Sequence, residues 1–175
     1  MRLFVAIEFS ETEKDEIYHS VEQLKETAEG GNFTKKENLH LTLVFIGETA
    51  KAANARRALK QVAFAPFLLE LTGRIGVFKR GNKGIYWMEI KESASLKKLQ
   101  KAVAAALETF GFCLEKRPFV PHLTLGREVP LLETPLSGRA VTAAVSSISL
   151  MKSERIRGRL QYIPVFRLPA LPEEK

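Results

Sequence analysis

With 175 residues, 45% of them hydrophobic and 27% charged, the chain has ordinary globular composition, which excludes collagen-like, coiled-coil and largely disordered architectures. Its length suits one domain, expected to run over residues 1–175. A formal net charge of +7 points to an anionic partner, because a summed positive field attracts phosphates. The single cysteine, Cys113, excludes an intrachain disulfide framework and a multi-cysteine zinc site, and fits a reducing cytoplasm.

The first strand is expected at residues 3–9. Its apolar start is broken by Glu8, too short for a signal peptide and far short of the roughly 20 residues that span a bilayer. Ser10 and Glu13 form a capping box that opens a helix, with Ile17, Val21, Leu24 and Ala28 on its apolar stripe and Gly30-Gly31 as its stop. His19 lies off that stripe and reads as an exposed surface histidine. A strand over 39–47 carries His40-Leu41-Thr42-Leu43. Strand alternation puts His40 and Thr42 on one face, and Leu41, Leu43 and Phe45 on the other, towards a core.

A helix over 51–63 follows, with Ala52, Ala55, Leu59 and Val62 on one face and Pro66 as its end. Strands are expected at 67–71, 74–78 and 85–90, the last two joined by a basic turn over 79–84. Leu96, Leu99, Val103, Leu107 and Phe110 mark another helix, stopped at Gly111. Cys113, between Phe112 and Leu114, reads as a small buried hydrophobe. Pro118 and Pro121 then lead into a strand over 120–126 with the second copy of the tetrapeptide, His122-Leu123-Thr124-Leu125. Runs at 140–152 and 159–168 complete the chain as two strands joined by a basic turn containing Gly158. Two halves, each with one His-x-Thr strand, predict a duplicated α+β fold with pseudo-two-fold symmetry and a cleft between two lobes.

The repeated tetrapeptide contains two of the three histidines in the chain. An imidazole titrates near pH 6.5, so one histidine can accept a proton while another donates one. A pair flanking a phosphate is a complete acid and base set, and a threonine two residues along can hold a phosphate oxygen. No second histidine follows either one at ligand spacing and no acidic cluster accompanies them, so neither a metal nor a cofactor is expected.

These residues resemble the two-histidine (2H) phosphoesterases, in the RNA 2',3'-cyclic phosphodiesterase branch also called 2'-5' RNA ligases. The resemblance is carried by Met1 through Ile7, by Asn38 through Leu43 with Phe45-Ile46-Gly47, and by Pro118 through Arg127. Weaker matches are Gly76-Val77-Phe78, the Trp87 strand, and Leu150 to Ser153 followed by Gly158 and Tyr162. It implies antiparallel sheets lining a central cleft, helices on the outside, and hydrolysis of an RNA 2',3'-cyclic phosphate end to a 2'-phosphate, with reversible 2'-5' ligation as the companion reaction. By motif position His40 would be the proton donor, His122 the proton acceptor, and Thr42 and Thr124 the phosphate-binding hydroxyls.

Arg127 matches the basic residue after the second motif and is expected to bind substrate. Lys79, Arg80, Lys83, Lys152 and Arg155 are candidates for backbone contacts. Phe78 or Tyr86 could stack on the terminal base, with Tyr86 and Trp87 better suited to packing. The expected partner is RNA with a cyclic phosphate end, met in the cytoplasm by a monomer without a membrane anchor. Alternatives with the same motifs are a 2H phosphodiesterase acting on 2'-5' oligonucleotides or small cyclic nucleotides, and a non-catalytic RNA-end-binding module.

Overall fold

The protein is seen in a computed structural model that describes residues 1–173; Glu174 and Lys175, the last positions of the expected domain, lie outside the described residues. In chain order the elements are β1 (Arg2–Glu8), α1 (Glu11–Thr27), β2 (Asn32–Phe33), a 3₁₀ turn (Lys36–Asn38), β3 (His40–Glu48), α2 (Ala52–Leu59) and β4 (Phe67–Arg80). They continue with β5 (Lys83–Ile90), α3 (Ala94–Thr109), β6 (His122–Pro130), β7 (Val141–Val145), β8 (Ser147–Ile156) and β9 (Arg159–Pro169). The strands form two antiparallel sheets, one ordered β3-β1-β8-β9 and the other β2-β6-β5-β4-β7. The architecture is α+β, as the duplicated pattern predicts.

Serine caps start the two long helices. Ser10 accepts the Glu13 amide at 3.1 Å while the Glu13 carboxylate accepts the Ser10 amide at 2.9 Å, and Ser93 accepts the Leu96 amide at 3.2 Å. Each cap satisfies an otherwise orphaned donor and contributes about 1 kcal/mol. Ile17, Val21 and Leu24 are buried on α1, and Leu96, Leu99, Val103 and Leu107 on α3. Helix α1 leaves β1 of the first sheet and packs against β6 and β7 of the second, whereas α3 leaves β5 of the second and packs against β3 of the first. Each helix thus covers the sheet that its own preceding strand does not belong to, and the two lobes interlock.

Several sequence expectations need correction. The strands expected at 67–71 and 74–78 are one strand, β4, whose register slips between Leu71 and Ile75 where Gly73 takes φ +87°. The basic turn after it narrows to Gly81 and Asn82. Conversely, the run over 140–152 divides at Ser146 into β7 and β8, which belong to different sheets. Strict alternation of buried and exposed residues in β7 gives way to four consecutive buried residues in β8, a central strand covered on both faces. Helix α2 ends at Leu59, well before Pro66, because residues 60–61 already turn.

Cys113 is exposed, contrary to expectation: Gly111 takes φ +88° after α3, Phe112 turns inward, and its neighbour turns out. Two elements without a sequence signal, the two-residue β2 and the 3₁₀ turn, complete the surroundings of β3 and β6. Among the described residues no helix is long and apolar enough to cross a membrane.

Candidate active site

The tetrapeptides occupy equivalent positions. His40 begins β3 opposite Glu8 of β1, and His122 begins β6 opposite Glu89 of β5. Thr42 follows opposite Ala6, and Thr124 opposite Trp87. In each strand the register then slips by one residue at the second leucine of the tetrapeptide, since Val44 faces Val5 and Gly126 faces Tyr86. Leu41, Leu43, Leu123 and Leu125 are all buried, so the apolar half of each motif anchors the strand in the core. The polar halves converge: His40, Thr42, His122 and Thr124 line one cavity of about 620 Å³ together with Arg127, Asn38 and Tyr162.

The slips decide what comes next in each strand. Simple alternation sends Phe45 into the core, but the extra residue at Leu43 reverses the parity and leaves Phe45 47% exposed on the cavity wall. In β6 a second slip sets Arg127 and Glu128 against Ile85 alone, with Glu128 at φ +53°. The slip at Leu125 already turns Arg127 into the cavity, as the one at Leu43 turns Phe45, whereas an unbroken strand would send it towards the side of Leu123 and Leu125.

Both imidazoles are tethered in the same way. Nδ1 of His40 is 2.7 Å from the Asn38 carbonyl oxygen, and Nδ1 of His122 is 2.8 Å from that of Val120. A carbonyl can only accept, so in each ring Nδ1 carries hydrogen and Nε2 is the atom free for proton transfer. His40 Nε2 also lies 3.1 Å from Thr42 Oγ1.

The surroundings differ. His40 is enclosed by Phe4 at 5.0 Å and by the edge of Tyr162 at 4.8 Å between ring centroids. Burial pushes its pKa below the usual histidine value; the Asn38 carbonyl and Glu8 oppose the shift, and the Arg127 guanidinium adds to it. His122 stands instead beside Phe78, edge-on at 5.3 Å, with Trp87 at 6.4 Å. Phe78 stacks on Trp87 at 5.2 Å and is 39% exposed. Gly76 makes room for that stack, because a Cβ there would lie 2.3 Å from the Trp87 ring.

Of the other residues singled out, Arg155 lines the cavity, while Lys79, Arg80, Lys83 and Lys152 are not among its lining residues. Tyr86 is buried, and its hydroxyl accepts the Leu132 amide at 2.9 Å. His19 is exposed on α1, 4.0 Å from Glu22. Arg2, Asn38 and Tyr162 belong to the stretches that carry the family resemblance, but sequence reasoning assigned them no role in the site, and it placed Phe45 in the core. Among the described residues, no three His, Cys, Asp or Glu side chains gather as a metal cage requires.

A two-lobed α+β fold that faces one cavity with a His-x-Thr strand from each lobe defines the 2H phosphoesterase class. The chain belongs to the 2'-5' RNA ligase superfamily, whose family model matches residues 13–157. It is 34% identical over 130 residues to an RNA 2',3'-cyclic phosphodiesterase of Archaeoglobus fulgidus, covering 73% of this chain and 72% of that protein. A protein of the same description from Escherichia coli is 30% identical over 172 residues, covering 95% and 94%. Among solved structures, Escherichia coli LigT complexed with 3'-AMP superposes with a TM-score of 0.80 at 27% identity, covering 98% of each chain.

Proposed function

We propose that this cavity hydrolyses the 2',3'-cyclic phosphate at the end of an RNA to a 2'-phosphomonoester, by acid and base catalysis from its two histidines without a metal. The observation that carries the reading is the matched pair of imidazoles, each with Nδ1 tied to a carbonyl two residues upstream and Nε2 left for the cavity. Relatives described as RNA 2',3'-cyclic phosphodiesterases support the substrate.

In the proposed reaction, water attacks phosphorus and loses a proton to Nε2 of His122. The bond from phosphorus to the ribose 3'-oxygen breaks, and protonated His40 gives its Nε2 proton to that oxygen, leaving the phosphate on the 2'-oxygen. Thr42, Thr124 and Arg127 hold the non-bridging oxygens and offset the charge that grows on them. His40 gains proton affinity when this anion enters, which counters the depression caused by burial and by Arg127. Replacing water by an RNA 5'-hydroxyl gives a 2'-5' linkage through the same two transfers.

Turnover of an oligonucleotide ending in a 2',3'-cyclic phosphate, in excess chelator, tests the proposal. Full activity is expected from the wild type, with a loss of about 100- to 10,000-fold in His40→Ala or His122→Ala. Near-normal turnover by either variant, or loss of activity in EDTA that a divalent cation restores, overturns it.

A further inference from the structure

The cavity extends beyond the two histidines along β1 towards the start of that strand. Ala6 lies opposite Thr42, and Arg2 is four residues away on the same face, roughly 13 Å at the usual strand rise. Here the lining is Arg2, Phe45, Glu48, Ser153, Glu154, Arg155 and Leu160. The Arg2 guanidinium covers the Phe45 ring at 5.1 Å from its centroid.

The carboxylates at this end are already engaged. Glu48 binds the N-terminal ammonium at 3.0 Å and Glu154 binds Lys152 at 3.0 Å. Arg2 and Arg155 have no carboxylate partner among the described residues; Arg155 Nη1 reaches only the Gly158 carbonyl, at 3.4 Å. Two uncompensated cations and an exposed aromatic ring therefore share one wall of the cavity.

The internal repeat sharpens the contrast. Phe45 and Arg127 occupy the same place after His40 and His122, and each reaches the cavity through a register slip. One lobe puts a cation there, and the other puts a ring. Guanidinium planes and aromatic rings are sequence-tolerant platforms for nucleobases, and arginines hold phosphodiesters.

We infer that this end of the cavity is a subsite for the nucleotide preceding the terminal cyclic phosphate, whose base stacks on the Arg2 and Phe45 layer and whose phosphodiester is held by Arg155. The inference rests on the proposed RNA-end chemistry and adds a preference for chains over mononucleotides. One stacked base tightens binding roughly 5- to 150-fold.

The test compares the Kd values of a mononucleotide and a dinucleotide, each with a terminal 2'-phosphate, and of the dinucleotide lacking its first base. The dinucleotide is expected to bind at least fivefold tighter than the mononucleotide. Arg2→Ala and Phe45→Ala bring that ratio towards one, Phe45→Tyr preserves it, and removal of the first base mimics Phe45→Ala. Arg155→Ala lowers the slope of log Kd against log salt for the dinucleotide by about 0.7. A variant that only loosens the fold weakens both ligands together and leaves the ratio as it was.

A wild-type ratio of one, or a ratio undiminished in both Arg2→Ala and Phe45→Ala, overturns the subsite. Turnover of a cyclic-phosphate-ended RNA, measured on the same preparations, separates the two ideas. No turnover with the ratio intact sinks the proposed hydrolysis and leaves the subsite, and turnover with a ratio of one does the reverse.

Discussion

Glu8 stands opposite His40 in the ladder between β1 and β3, and its carboxylate is gripped from behind by Ser149 Oγ at 2.6 Å and Arg167 Nη2 at 2.8 Å. The other lobe repeats the device. Glu89 lies opposite His122, accepts Thr72 Oγ1 at 2.7 Å and has Arg74 Nε at 3.9 Å. The duplication therefore reaches past the tetrapeptides to an acid, a hydroxyl and an arginine beside each histidine.

Glu8 and Arg127 act on His40 with opposite sign, the carboxylate raising its proton affinity and the guanidinium lowering it. Glu8→Gln is expected to move the His40 titration further below the usual histidine value, and Arg127→Ala to move it back up. NMR titration of the imidazole carbons reads both. Shifts of the same sign in the two variants would show that burial alone sets His40.

Stability should fall as pH falls, in two stages. Folded His40 binds its proton more weakly than an unfolded histidine of pKa 6.5, so its contribution is complete above that pH and is lost as pH falls through the folded value. Burial pushes the Glu8 carboxyl up, but Ser149 and Arg167 outweigh burial and hold it below the ordinary 4.5, so its contribution is present above 4.5 and lost at lower pH. Urea unfolding between pH 7.5 and 5 should show the first stage in the wild type and a shallower one in His40→Gln. Equal pH dependence in the two would contradict the assignment.

Asn38 joins two parts of the site. Its carbonyl accepts the His40 Nδ1 hydrogen, while its buried side chain donates to the Leu160 carbonyl at 3.0 Å and ties down the β8–β9 hairpin. Asn38→Ala keeps the first bond and removes the second, at a cost of about 1–2 kcal/mol. Amide exchange is expected to quicken at the hairpin tip, around Arg159 and Leu160, more than along β3. Uniform acceleration would mean that the side chain supports the core generally.

The fold was legible where chemistry is local. The Ser10 capping box, the apolar stripes of α1 and α3, and the strands bearing both tetrapeptides follow from spacing alone. What spacing could not supply was register. Phe45 reads as core until the slip at Leu43 reverses its face, and Arg127 reaches the cavity through the equivalent slip at Leu125. Glu8 and Glu89 carry no motif, because their place beside the histidines arises from strand pairing. The division at Ser146 was hidden by a continuous apolar run serving two sheets.

Thr42 and Thr124 should matter through their hydroxyls alone. Substitution of either by valine keeps the shape and removes the donor, and is expected to lower kcat by about 100-fold. Steady-state kinetics on a cyclic-phosphate-ended oligonucleotide reads the effect, and a change confined to KM would reduce the hydroxyl to a ground-state contact.

The most direct measurement is phosphorus NMR of the product formed from an RNA ending in a 2',3'-cyclic phosphate. With His40 protonating the departing 3'-oxygen, the expected product is a 2'-phosphomonoester alone. A 3'-phosphomonoester, or an untouched cyclic phosphate, would contradict the two-histidine mechanism.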